Sequence, residues 1–364
     1  MIRIATIGTS MITDNFVEVV NDSDRATFVG TLSRDADRAD AFTRERGGER
    51  GFSALEELCA ADDVDAVYIG SPNALHREQA LAAIRAGKHI LVEKPLCANE
   101  REAAEVLGAA RRAGVVALEA MRPLHDPNFH RAVEALGEIG KIRRATLRFG
   151  KYSSRYDDIL AGERTNIFDC RMASGALMDI GVYSVEPMIA LFGEPESICC
   201  APVLLDESTR ALTNGAIDGA GVILAAYPDK VVTLHYSKIT ADLAENQVEG
   251  ELGTWTLDAL STPSRYRVDM RGQAVRNAAK QMGYSSTATA TTEVELEPCQ
   301  NNMCFELSDF LDAVEAVQGG ADAAAAPCGP FGTVDRFAEV TLATMRVMDE
   351  ARRQAGVTFP ADEA

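Results

Sequence analysis

The sequence predicts an α/β fold in two parts, a parallel-sheet domain over residues 1–120 and an α+β domain over 121–364 with a large, mostly antiparallel open sheet. Two observations predict it. Through the first third, short apolar runs alternate with helical stretches punctuated by glycine, the pattern of βαβ units on a parallel sheet. After Met121 the runs become longer and β-like. A chain of 364 residues, 46% apolar and 25% charged, supplies core enough for two domains of roughly 100–200 residues each.

Ile2, Ile4 and Ile7 begin a strand that runs into Gly8-Thr9-Ser10-Met11-Ile12-Thr13 and a helical stretch through Asn15 to Val20. Strand, tight turn and helix in that order are the setting in which a dinucleotide-binding loop occurs. Of the three glycines in G-x-G-x-x-G only Gly8 is present, with Ser10 and Thr13 at the other two positions. Gly8 still permits the turn, Ser10 is small enough for close approach, and amides at a helix start bind a pyrophosphate. An ordinary N-capped helix after a strand is the alternative. The second strand, Ala26 to Leu32, ends in Ser33-Arg34, where an acidic residue would read the ribose of NAD and an arginine accommodates a 2′-phosphate. The pair favours NADP, with NAD as the alternative that Asp35 supports.

A helix over Ala54 to Ala61 and a strand Ala66 to Ile69 follow, then Gly70-Ser71-Pro72-Asn73 and a helix of about Arg77 to Ala86 with His76 near its start. After Gly87 the run Ile90-Leu91-Val92 delivers Glu93-Lys94-Pro95. Open parallel sheets bind ligands outside the carboxyl ends of their strands, so Lys94 stands where such a sheet presents chemistry. Pro95 ends the ladder and restricts Lys94 to an extended backbone, which aims the ammonium group. The bland alternative is a surface lysine beside a turn. Asn99 reads as an N-cap with Glu102 completing a capping box, Gly114 as the C-cap, and Val115 to Glu119 as the last strand of a nucleotide-binding domain.

In the second domain, β-like runs cover Ile142 to Phe149, Ser197 to Leu204, Ala220 to Ala226, Lys230 to Tyr236 and Thr254 to Leu257. Ala274 to Thr292 is polar and weakly periodic, a loop or small flap. Phe305 to Val317 and Val334 to Ala355 are amphipathic helices that should pack back onto the fold, joined through a low-complexity link at Ala321 to Ala326.

With 36 basic and 55 acidic residues the net charge is −19, which repels nucleic acid and anionic membrane. No uncharged apolar run approaches a span of roughly 20 residues, and Met1 leads straight into a strand, so a cytoplasmic location is expected. Eight scattered cysteines without a C-x-x-C pair suit buried thiols, and five histidines without ligand spacing predict no metal site.

Taken together, Gly8-Thr9-Ser10-x-Ile12-Thr13, Ser71-Pro72-Asn73-x-x-His76, Glu93-Lys94-Pro95 and Ser174-Gly175-Ala176-Leu177-Met178-Asp179-Ile180-Gly181-Val182-Tyr183 resemble the glucose-fructose oxidoreductase and inositol dehydrogenase (Gfo/Idh/MocA) family. They cover most of the chain in the family's order. The resemblance implies a Rossmann domain and cofactor contacts from Gly8, Thr9, Ser10, Met11, Ile12, Ser33, Arg34, Ser71, Pro72, Asn73, His76, Glu93 and Lys94. It implies catalysis by Lys94, Tyr183 and Asp179. The implied reaction is hydride transfer between a nicotinamide and a carbinol of a sugar, polyol or cyclic diol. Tyr183 departs from the histidine common in the family and resembles the dihydrodiol dehydrogenase and NADP-dependent xylose dehydrogenase branch. Ser174 stands where glycine is usual.

Asp179 and Tyr183 are four residues apart and share a face if Gly181 does not break the helix. Either Tyr183 or Lys94 carries the proton, with Lys94 lowering the tyrosine pKa in the first case. Asn166, Asp169 and Arg171 are candidate substrate contacts, and Arg122 and His125 edge the cleft or form a hinge. The family further implies a homodimer or homotetramer through the carboxy-terminal sheet. Its non-catalytic regulators and its nicotinamide-dependent glycosidases are the competing functions.

Overall fold

The computed structural model describes residues 1–271, 290–297 and 299–363. The amino-terminal sheet is parallel throughout, with strands β1 (Ile2–Ile7), β2 (Ala26–Leu32), β3 (Ala66–Ile69), β4 (His89–Glu93) and β5 (Ala117–Ala120) in the order β2-β1-β3-β4-β5. Each strand is apolar on both faces because helices cover both, so Ile4, Val67, Ile90 and Leu118 are all buried. The strand order reverses between β1 and β3, which opens the crevice where doubly wound sheets bind dinucleotides. Gly8 and Gly70 meet there: Gly8 has φ +111°, and a Cβ on it would come within 2.9 Å of the Gly70 carbonyl oxygen.

Helix bounds shift by a few residues from their sequence signals, and the one expected over Ala54 to Ala61 covers Leu55–Ala60. The first helix covers Met11–Asp22, a second absent from the sequence reading covers Ala36–Glu45, and a later one starts at Asn73 rather than Arg77 and ends at Arg85. Asn99 caps the Glu100–Ala113 helix by accepting from the Glu102 amide, and Gly114 closes it at φ 69°. The capping box is displaced by one residue, since Glu102 accepts from the Ala98 amide at 3.3 Å.

The second sheet has eight strands, β6 (Ile142–Gly150), β7 (Ser197–Leu204), β8 (Asp218–Ala226), β9 (Val231–Ser237), β10 (Asn246–Gly250), β11 (Gly253–Leu257), β12 (Arg265–Met270) and β13 (Ala290–Glu295). Their order is β13-β12-β11-β10-β6-β9-β8-β7, antiparallel except for the β6–β9 pair. Ala145, Leu147, Val232, Leu234 and Tyr236 alternate inward, and on them lie the Leu177–Gly181 turn and the helix Val182–Phe192. Trp255 is fully buried and donates from Nε1 to the Ala132 carbonyl at 2.7 Å, tying the sheet to the helix Pro127–Glu134. The predicted polar loop falls mostly outside the described residues; its last three, 290–292, begin β13.

The helices Met303–Gln318 and Val334–Ala355 do pack back, the first onto the Met11–Asp22 helix and the second across β5, β7 and the Val182–Phe192 helix. No uncharged apolar run of spanning length is present, since Arg171, Asp179 and Glu186 interrupt the most apolar stretch. That stretch, Cys170–Phe192, is still long and apolar enough to cross a membrane by length and composition, and 78% of its most apolar window is buried inside the fold. Core packing accounts for its hydropathy.

Candidate active site

Lys94 leaves the carboxyl end of β4 on a loop braced at three points. Glu93 turns back into the fold and accepts from the Tyr68 hydroxyl at 2.6 Å, while the Tyr68 ring stacks on Phe16 with centroids 3.8 Å apart. The Leu96 amide donates to Glu119 at 2.9 Å. His76, fully buried, contacts the Ser71 carbonyl through Nε2 at 2.8 Å and the Pro95 carbonyl through Nδ1 at 3.2 Å. Burial holds this imidazole below its usual pKa, so the neutral ring has one proton to donate to one of the two carbonyls. His76 thus lies between the two loops and donates to one of them, and Glu93 anchors the strand end. The Lys94–Pro95 peptide is cis, a feature the sequence reading of Pro95 did not include.

The segment Ser174–Tyr183 approaches from the other side of the cleft. Ala173 at φ 51° and Gly175 at φ +123° turn the chain, and a Cβ on Gly175 would lie 2.4 Å from Asp218 Oδ1. The Ser174 hydroxyl donates to the Asn166 carbonyl at 2.5 Å, so serine stabilises the turn where glycine is usual. Asp218 accepts from the Leu177 amide at 2.7 Å and fixes the helical start. Leu177–Gly181 then forms a π-helical turn before the α-helix at Val182, a widening common at functional sites. Gly181 does not break the helix. It packs closely, since a Cβ there would meet Leu177 Cδ1 at 2.8 Å and Tyr236 Cγ at 3.1 Å.

Lys94 and Asp179 meet across the cleft. Lys94 Nζ donates to the Asp179 carbonyl at 2.6 Å and to Oδ1 at 3.2 Å, and lies 4.7 Å from the centroid of the Tyr183 ring. Lys238, at the end of β9, donates to Asp179 Oδ2. Tyr183 is 8% exposed and stacks on Phe149. Arg122, from the turn after β5, interacts with Tyr183 and lies near the buried Glu306.

Burial alone would depress the Lys94 pKa, but Tyr183, Asp179 and Glu93 outweigh it and hold the group above the ordinary lysine value. Burial would raise Asp179, yet Lys94 and Lys238 hold it below the usual carboxylate range. For Tyr183 burial wins: the phenol stands above its ordinary value although Lys94 and Arg122 pull it down. Lys94 thus lowers the tyrosine pKa as expected without bringing it below normal. The resting site holds an ammonium, a carboxylate and a neutral phenol.

At the opposite end of the cleft, the Met11–Asp22 helix points its amino terminus at the crevice. Ser10 makes no side-chain cap, its hydroxyl lying 3.3 Å from that of Thr13, which suits the first-turn amides to a pyrophosphate. Met11 is 80% exposed and Ile12 packs against the core. Beyond β2, Asp35 spends its carboxylate as an N-cap on the Arg38 amide at 3.2 Å. Arg34 is exposed, and Arg38 Nη2 donates to the Thr9 carbonyl at 3.3 Å. Ser71 donates to Gln79 at 2.6 Å, and Asn73 reaches across to the Ala173 carbonyl at 2.8 Å. The donors and the two basic side chains fit a phosphorylated dinucleotide.

Asn166, Asp169 and Arg171 close on one another and their own turn. Asp169 accepts from Arg171 Nη2 at 2.9 Å and from Asn214 at 3.0 Å, and Asn166 uses its carbonyl to hold Ser174. Their hydrogen bonds do not run to Lys94, Asp179 or Tyr183. His125 pairs with Asp309 at 2.7 Å. Sequence reasoning missed Lys238, Arg38 and Asp218. Lys238 carried the same signal as Lys94, a lysine at the end of an apolar strand.

A Rossmann sheet facing a lysine, an aspartate and a tyrosine across a cleft defines an NAD(P)-dependent oxidoreductase. Residues 2–120 match the model of the oxidoreductase family with an NAD-binding Rossmann fold, and residues 130–256 match the GFO/IDH/MocA carboxy-terminal domain. The chain belongs to the Gfo/Idh/MocA family. It is 35% identical over 364 residues, the full length of both chains, to scyllo-inositol 2-dehydrogenase (NADP(+)) IolU of Bacillus subtilis. It is 25% identical over 369 residues, covering 100% of this chain and 99% of the other, to trans-1,2-dihydrobenzene-1,2-diol dehydrogenase of Mus musculus. Among solved structures, KijD10, a 3-ketoreductase from Actinomadura kijaniata in complex with NADP and TDP-benzene, aligns over 97% of both chains with TM-score 0.76 and 23% identity. At that identity the likeness concerns the fold.

Proposed function

We propose that the protein catalyses reversible oxidation of a ring carbinol on a cyclic polyol or sugar with NADP, using Tyr183 as acid-base group and Lys94 as its electrostatic partner. The observation that carries the reading is Lys94 Nζ held between Asp179 and the face of the Tyr183 ring. When bound, the nicotinamide accepts or supplies the hydride. In the oxidation direction Tyr183 Oη takes the hydroxyl proton; in reduction it returns a proton to the carbonyl oxygen. Lys94 remains an ammonium throughout, hydrogen-bonds the alkoxide as charge develops and favours the tyrosinate. Asp179 stays ionised and orients Lys94. These roles favour Tyr183 over Lys94 as proton carrier, because the resting ammonium is held above its normal pKa.

The substrate class rests on the full-length relative that acts on scyllo-inositol. The NADP preference rests on Arg34 and Arg38 beside the phosphate loop and on the use of Asp35 as a cap. Self-association through the outer face of the large sheet is supported by Val203, Leu224 and Val231, exposed on three adjacent strands. We place the enzyme in the cytoplasm. The test is a panel of inositols, aldoses and cyclic diols read by absorbance of reduced cofactor, run separately with NADP and NAD. Net accumulation of NADPH with a cyclic polyol is expected; no net reduction of either cofactor by any member would overturn the reading. Arg34→Ala with Arg38→Ala should raise KM for NADP by about tenfold or more while leaving that for NAD within twofold, and equal effects on both would remove the 2′-phosphate assignment.

A further inference from the structure

Asp179 is bracketed by two ammonium groups, one from each side of the cleft. Lys94 comes from the loop after β4 and takes Oδ1 and the backbone carbonyl, whereas Lys238 comes from the end of β9 and takes Oδ2. The Lys238 side chain is 10% exposed. Its backbone is pinned on both sides, the amide donating to the Gly219 carbonyl at 2.9 Å and the carbonyl accepting from the Ser153 amide at 2.9 Å. Lys238 is therefore fixed in place independently of Lys94.

A lysine that hydrogen-bonds a reacting oxygen has to loosen its hold on any carboxylate that already occupies it. If Lys94 were the sole counter-ion of Asp179, turning toward substrate would leave a half-buried carboxylate unpaired inside the cleft, at a cost in free energy. Lys238 removes that obstacle because Oδ2 keeps its partner whichever way Lys94 faces. With Lys238 on Asp179, the Lys94 ammonium is not cancelled by that carboxylate, and with Arg122 it favours ionisation of the Tyr183 phenol against Glu93.

We propose that Lys238 is a positioning residue for the reaction, which neutralises Asp179 so that the Lys94 ammonium is free to serve the reacting oxygen and Tyr183. The inference rests on the acid-base roles given above for Lys94 and Tyr183. The charged or titratable groups facing Tyr183 are Lys94 and Glu93 from β4 and its loop, Arg122 from the turn after β5, Asp179 from its own segment and Tyr68 from β3. Lys238 acts on this set through Asp179.

Two readouts test it, one of which needs no turnover. In Lys238→Met, ultraviolet titration of tyrosinate against the corresponding Tyr183→Phe background should show the Tyr183 midpoint moved upward by about one pH unit, as expected when Asp179 loses the cation that neutralises it. In turnover, kcat should fall by about tenfold or more with KM for NADP unchanged, and Lys238→Arg should recover most of it. The loss should be non-additive with Asp179→Asn, so that Lys238→Met changes kcat by less than about twofold in that background. Binding of NADPH, followed by its fluorescence, verifies the fold, and Lys238→Gln replaces the methionine variant if that one does not bind. An unmoved Tyr183 midpoint would overturn the proposal. So would an effect confined to KM for the polyol, which would make Lys238 a substrate contact. Should the wild-type protein turn over no polyol, the reading of the reaction fails while the titration still decides the role of Lys238.

Discussion

At the residue scale, the chemistry depends on which of three enclosed groups holds a proton. Burial keeps the Tyr183 phenol above its ordinary value of 10.0, so the free enzyme at neutral pH carries a proton ready for delivery. Carbonyl reduction, which consumes that proton, should hold a plateau through neutral pH and fall only in the alkaline range. Alcohol oxidation needs the tyrosinate and should rise with pH; initial rates in both directions across pH check the sign, and parallel profiles would contradict it. Lys94→Ala should lower turnover by about a hundredfold or more while dinucleotide affinity, measured by fluorescence titration, stays within a few-fold. Lys94, Asp179 and Tyr183 were legible because each lies in a contiguous motif. Lys238 and Arg122 were harder to read because their roles depend on neighbours far away in the chain.

At the scale of elements, the turn that presents Asp179 and Tyr183 is set by Gly175 and Asp218. Gly175→Ala would force a side chain into φ +123° and within 2.4 Å of Asp218 Oδ1, and should cost about 2–3 kcal/mol, read as a lower melting temperature. A stability within 0.5 kcal/mol of wild type would show that the turn relaxes freely. The sequence patterns located this segment but not its π-helical turn, since one extra residue in a turn leaves no mark on apolar periodicity. Strands β10, β12 and β13 also went unread. Asn246–Gly250 is short and polar, Arg265–Met270 is charged, and Ala290–Glu295 is an edge strand with mostly exposed side chains. Alternation needs one face buried and the other solvated, and β13, exposed on both faces, does not supply it. The parallel strands of the first sheet were legible because both of their faces are buried.

At the scale of the whole molecule, the carboxy-terminal helices are part of the support of Lys94. Thr341 donates to Glu119 at 2.8 Å, and Glu119 in turn holds the Leu96 amide two residues beyond Lys94. Glu186 lies beside Glu119 in the core, and burial raises the pKa of both, that of Glu119 from 4.5 to about 7. A carboxyl with its folded pKa above its unfolded value contributes stability fully below the unfolded value and loses it as pH rises through the folded one. The contribution of this pair should therefore decline between about pH 4.5 and 7 and beyond, against the neutral histidines His76, His89 and His130, whose pKa burial lowers and whose contribution rises with pH. Glu186→Gln removes one of the two acids, so its melting temperature should gain on wild type as pH rises from about 5 to 8; parallel curves would mean that the pair does not couple to folding. This arrangement joins residues more than 150 positions apart, which is why amphipathic patterns predicted helices packing back on the fold without saying what they touch.

The most direct test compares wild type with Tyr183→Phe in NADP reduction by a cyclic polyol. The phenylalanine variant should keep KM for NADP within about twofold and lose roughly a hundredfold or more in kcat. A variant with wild-type kcat across pH would place the proton on another group and contradict the assignment of Tyr183 and Lys94.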